Sequence, residues 1–130
     1  MDTRSTDRAL SGLAAGRVAL GSAALLAPRA TLRLFGIRPR ADLCYLTRIY
    51  GGRAIALGIG YLTEPSQHRG RWHRLGLFVD TSDTATALGH YLRRDVPRPA
   101  ILKLGALTGS YMLVGAARLW SDLATGPNGS

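Results

Sequence analysis

The chain has 130 residues, 46% of them hydrophobic and only 19% charged, with a formal net charge of +9 and Lys103 as the one lysine among 17 basic residues. That length admits a single domain, either a soluble core or four membrane spans, and the lone Cys44 excludes an intrachain disulfide and any cysteine-pair metal site. The positive charge does not point to nucleic acid, because the arginines cluster between apolar stretches instead of along a basic helix face, with no zinc-finger or RNA-recognition spacing.

Residues 1–8 are polar and are expected to be a flexible N-terminus. The first apolar segment runs from Ala9 to Ala27 and is closed by Pro28. As a helix it would be about 28 Å long, close to the hydrocarbon thickness of a bilayer, with Arg17 near its middle. No convincing cleavage site precedes Pro28, so the segment is expected to remain as an anchor. The linker that follows mixes Arg29, Arg33, Arg38 and Arg40 with Leu32, Leu34, Phe35 and Ile37. This composition predicts a short interfacial helix, stopped by Gly36 and Pro39.

The second long segment, Leu43 to Leu62, contains RIYGGRAIALGIGY, in which Arg48, Arg53 and the pair Gly51-Gly52 interrupt an oily run. Thr63 to Arg74 reads as a short turn, making its flanking helices antiparallel neighbours. His68 and His73 fall in that turn and are expected to be solvated, since their spacing matches no metal motif. The third segment, Leu75 to Leu92, carries Asp80 and Asp83 and is the least apolar. Pro99 to Trp120 is the cleanest span, and Trp72 and Trp120 fall at helix ends on one side, as interfacial aromatics do. Residues 122–130 read as a disordered tail. The fold class is therefore all-α: a four-helix transmembrane bundle over residues 9–121 with a short interfacial helix after helix 1.

Two features argue for water: a mean hydropathy of +0.04, and aspartates that cost roughly 2.5–3.5 kcal/mol each at mid-span. The opposing argument is one of surface. A soluble helix needs a continuous charged face, yet the first segment offers only Arg17, the second only Arg48 and Arg53, and Leu104 to Ala117 none. The bilayer is the better fit, and a soluble helical interaction module is the alternative. Close packing would come from a small-residue ridge of Ser11, Ala15, Ala19, Ala23 and Ala27, from Gly105 and Gly109, and from Ala56 and Gly60.

Placed by depth at about 1.5 Å per residue, Arg17, Arg53 and Asp83 fall near one midplane, with Asp80, Arg48, Ser110 and Tyr111 close by. Asp80, Asp83, Thr84 and Tyr91 share a stripe with Gly76 and Ala87, and His90 borders it. The expectation is a buried network in which Arg17, Arg48 and Arg53 pair with Asp80 and Asp83, bidentate arginine–carboxylate geometry being the strong form. Such pairing could serve assembly alone. Three arginines against two aspartates leave a surplus cation, which with Ser110, Tyr111 and His90 would suit a small anionic or apolar ligand. Asp80 and Asp83 are the candidate catalytic acids of an isomerase or cyclase, with arginine stabilising negative charge; proton or ion conduction is a further option. No metal site or cofactor motif is present.

At these residues the chain resembles a family of small four-helix bacterial integral membrane proteins, a domain family of unknown function. The resemblance is carried by Ala27-Pro28-Arg29 ending the first helix, RIYGGR from Arg48 to Arg53, and DTSD from Asp80 to Asp83, and covers roughly residues 9–120. DoxX-like membrane proteins are similar more weakly, in size and helix count. The resemblance implies a multi-pass location in the bacterial cytoplasmic membrane, with lipid as a partner and a homo-oligomer or membrane partner open; it implies no activity. The two loops opposite the termini carry more Lys/Arg than the terminal side, which predicts both termini outside the cytoplasm.

Overall fold

The computed structural model describes residues 3–126. They form α1 (Thr3–Leu26), α2 (Pro28–Leu34), α3 (Ala41–Thr63), a 3-10 turn (Ser66–His68), α4 (Arg69–Arg93) and α5 (Arg98–Ala124), with no strand among them. The all-α reading and the short helix after helix 1 hold. Two helices, α1 over Arg4–Leu26 and α5 over Arg98–Ala124, are long and apolar enough to cross a membrane.

Prolines and one glycine set the breaks. Ala27, just before Pro28, leaves helical geometry (φ −131°, ψ 59°), and Pro28 then opens α2, where its missing N–H costs nothing. α2 ends in a Schellman turn: Gly36 takes φ 75°, its N–H reaches Arg33 O at 3.0 Å, and the Ile37 N–H reaches Leu32 O at 2.9 Å. Arg94 closes α4 at φ 58° without glycine, held by its N–H to His90 O at 2.9 Å.

Three boundaries differ from expectation. α1 begins at Thr3 because its first turns are anchored: Thr6 is buried and Asp7 pairs with Arg118 of α5. Only residues 1–2 of the expected flexible N-terminus lie outside the described residues. α4 begins at Arg69 and absorbs the second half of the expected turn, so Trp72 and His73 are helical. α5 continues to Ala124, where Arg118 Nε donates to Asp122 Oδ1 one turn on at 2.8 Å; residues 127–130 of the expected tail lie outside the described residues.

The four long helices run up, down, up and down as two close pairs. α1 meets α3 through glycines that let backbones touch: a Cβ on Gly51 would lie 2.5 Å from Gly21 O, and one on Gly58 2.6 Å from Ala14 O. The expected ridge is on the other side of α1, where Ala15, Ala19, Ala23 and Ala27 are exposed while Ala14, Gly21 and Ala24 are buried. Four-residue spacing occurs on several faces of an Ala/Gly-rich helix, and α3 selects the face whose glycines match its own. α4 meets α5 through Ala87 against Gly105 and Leu77 against Gly115, with Thr84 donating to Thr108 at 3.2 Å. Gly109 has open space around it.

Candidate functional site

The pairs meet along a line of polar groups. Arg17 of α1 donates from Nη2 to Asp80 Oδ2 of α4, and its guanidinium carbon lies 4.8 Å from the centre of the Tyr111 ring of α5. Asp80 is 3% exposed, and the Arg17 side chain 15%. Two glycines make the meeting possible. A Cβ on Gly16 would lie 2.8 Å from the Tyr111 hydroxyl, and one on Gly76 would lie 3.4 Å from Arg17 Nη2. Among the described residues, Asp80 is the sole hydrogen-bond acceptor of the Arg17 guanidinium, so most of its five donors are unused.

These groups border a small, partly open cavity of about 40 Å³, whose walls include Leu10, Leu13, Leu57, Tyr61, Trp72 and Leu77. His73 borders it too. It is 8% exposed, and its Nε2 has no hydrogen-bond partner. Trp72 packs its ring over Gly60 and donates Nε1 to Glu64 Oε2 at 3.3 Å, closing the α3–α4 side. A wider vestibule of about 300 Å³ lies at the end where α1 begins and α5 finishes, and it shares Leu10, Tyr61 and His73 with the cavity.

Arg17, Asp80 and Tyr111 are thus assembled as expected, and Arg53 with Asp83 forms a second pair at 2.9 Å. That second pair is more open, with the Arg53 side chain 47% and Asp83 28% exposed, and it borders the α3–α4 cleft instead of the cavity. The other expected members are elsewhere. Arg48 is exposed and opens with Arg29, Arg33 and Tyr45 onto a groove of about 540 Å³ beside α2, because it points about 140° away from Arg53 around α3. Ser110 is exposed and returns its hydroxyl to Leu107 O at 2.8 Å. His90 sits at the far end of α4, with Nδ1 2.7 Å from Asp95 Oδ1. With Arg48 absent, the surplus cation disappears: two separate neutral pairs replace one positive layer.

His73, Tyr61 and Trp72 were not among the expected site residues. The signal for His73 was present, since it lies seven residues before Asp80 and three before Gly76 and so continues their stripe by two turns. Assigning Thr63 to Arg74 to a turn hid it. Trp72 likewise packs into the bundle, whereas Trp120 is exposed near the end of α5. No group of acidic, histidine and cysteine side chains among the described residues has a metal-binding arrangement. No family model, curated protein or solved structure matches this chain.

Proposed function

We propose that this chain is a multi-pass membrane protein of four spans that holds a small polar ligand in its interior, with Arg17 and Asp80 at the deep end of the site and His73 at its mouth. The observation that carries the membrane reading is an inverted surface. Leu46, Ile49, Phe78, Leu88, Leu92 and Leu113 are all more than half exposed, while Asp80 and His73 are buried. In the most apolar window of α1 and of α5 only 22% of residues are buried. A core helix of a soluble bundle would be mostly enclosed, and hydrocarbon is the solvent that favours leucine outside and ion pairs inside. Arg29 and Arg33 of α2 line one groove at an end of the bundle, at the level where lipid phosphates would meet them, with Arg48 deeper in the same groove.

The binding reading is supported by unused hydrogen-bonding capacity beside one cavity: donors on Arg17, and a His73 ring that lines the same space while its Nε2 is enclosed without a partner. The size of that space limits its occupant to water or a molecule of a few heavy atoms. A quinone or headgroup is too large for it, and neutral pairing of Arg17 with Asp80 removes the attraction for an anion. An acid–base enzyme built on two carboxylates gains no support, because Asp83 does not border the cavity.

The test is fractionation of the full chain. Retention in membranes through alkaline carbonate, with release only by detergent, is the expected result; recovery in the aqueous fraction overturns the reading.

A further inference from the structure

Taking the four-span membrane reading as premise, we propose that Asp80 exchanges a proton with one side of the membrane only, through a polar passage from the vestibule past His73. The vestibule is walled by Asp7, Ser66, Gln67, Arg69, Arg118 and Asp122 and stands open at the end where α1 begins and α5 finishes. It narrows where Leu10, Tyr61 and His73 face both it and the inner cavity. His73 lines both spaces, and its Nε2, enclosed and without a partner in this arrangement, carries a desolvation cost of about 1–3 kcal/mol that a turn of the ring toward a water would relieve. The cavity behind has room for a few waters.

Asp80 lies on the same face of α4 as His73, about 10 Å deeper along the axis. That gap is too long for direct transfer and short enough for a chain of two or three waters. Gly76, midway, keeps the wall low: a side chain there would face Arg17. The charged and titratable groups around the neck are Asp7 on α1, Tyr61 on α3, Arg69 on α4, and Arg118 with Asp122 on α5. Around the deep end they are Arg17 and Tyr111, with Tyr50, Arg53 and Asp83 beyond.

The passage ends at Asp80. Toward the other surface the cavity lining reaches no further than Arg17, Asp80 and Tyr111. Past Tyr111 the outer groove is formed by Ala19, Leu20, Leu34, Phe35 and Leu107, an apolar face with Lys103 at its rim. A proton taken from vestibule water passes along the waters and forms an O–H bond on the Asp80 carboxylate. The Arg17–Asp80 ion pair then becomes a cation beside a neutral acid, and the reverse transfer restores it. No bond to His73 need form, so His73 is a positioning residue that holds the water at the neck.

The full chain, reconstituted in vesicles in one orientation, tests this by infrared spectroscopy while one compartment is acidified at a time. The readout is the carbonyl stretch of a protonated carboxyl group, assigned to Asp80 by its loss in Asp80→Asn, or by its displacement in Asp80→Glu should the asparagine variant not fold. The band is expected on acidifying the side where α1 begins and α5 finishes, and not on acidifying the other. His73→Leu slows its appearance by roughly tenfold or more, as expected for losing a hydrogen bond to a buried water, and His73→Gln restores it. A chain that fails to enter vesicles overturns the membrane premise and the proposal together. A chain that enters them, but whose band answers from the opposite side, from both sides equally or from neither, overturns the one-sided route alone.

Discussion

Arg17 and Asp80 form the only ion pair among the described residues in which both side chains are largely withdrawn from solvent. They come from helices that are neither consecutive nor closely packed on each other, and so their bond ties the α1–α3 pair to the α4–α5 pair. Breaking it from one side leaves the partner charge buried and alone, which typically costs about 3–5 kcal/mol. Asp80→Asn and Arg17→Ala are each expected to lose that much stability in denaturant titrations of the detergent-solubilised protein. The double variant Arg17→Met, Asp80→Leu is expected to recover most of it, since no charge is then stranded. Equal losses in single and double variants would contradict this account.

The α1–α3 seam makes a prediction that does not depend on the ion pairs. Gly51→Ala places a methyl group 2.5 Å from Gly21 O and 2.9 Å from Leu25 N, both backbone atoms that cannot turn aside. The helices must separate, at about 1–3 kcal/mol. Gly12→Ala has open space around it and gains helix propensity, so it is expected to be neutral or stabilising by about 0.5–1 kcal/mol. Thermal unfolding of the two variants side by side measures the difference.

What the sequence made legible was periodicity and depth. Arg17, Asp80 and Tyr111 converge because residues at the centres of antiparallel helices of similar length share a layer, and Asp83 finds Arg53 for the same reason. Azimuth was harder to read. Arg48 has the right depth and the wrong side of α3, and the Ser11–Ala27 ridge is a smooth face that α3 does not use. Which of several small-residue faces is chosen depends on matching glycines in another helix, a relation that no single segment displays. The site's mouth was lost at a boundary: polar TEPSQHRGRWHR reads as a turn, but its second half is helical, with Trp72 packed on Gly60 and His73 enclosed by α1, α3 and α5.

At the opposite end of the bundle, the hydrogen bond from His90 holds the Asp95 carboxyl below its ordinary range. A group whose folded pKa is depressed contributes stability that is fully present above its unfolded pKa and is lost as pH falls through the folded value. The α4–α5 turn is therefore expected to loosen only on the acid side of the ordinary carboxylate range, with no change near neutrality from this group. Carboxyl-carbon NMR titration of the detergent-solubilised protein checks it: in His90→Phe the Asp95 midpoint moves up toward the usual aspartate value. An unchanged midpoint would remove the link.

Arg53 and Asp83 distinguish bilayer from water, because their pair is partly open to whatever surrounds the α3–α4 cleft. In water an exposed ion pair couples by only about 0.2–1 kcal/mol, and Arg53→Ala, Asp83→Ala and the double variant would differ little. In hydrocarbon each single variant strands a charge near mid-span, where insertion scales assign roughly 2.5–3.5 kcal/mol to an aspartate or arginine. A double-mutant cycle in lipid is therefore expected to give a coupling of about 2 kcal/mol or more, with both single variants less stable than the double. The same cycle in a water-soluble bundle would stay within the surface range. A coupling below about 1 kcal/mol measured in bilayers would mean that the cleft is wet. The four helices would then surround a water-filled opening on the α3–α4 side instead of presenting a continuous apolar face to lipid.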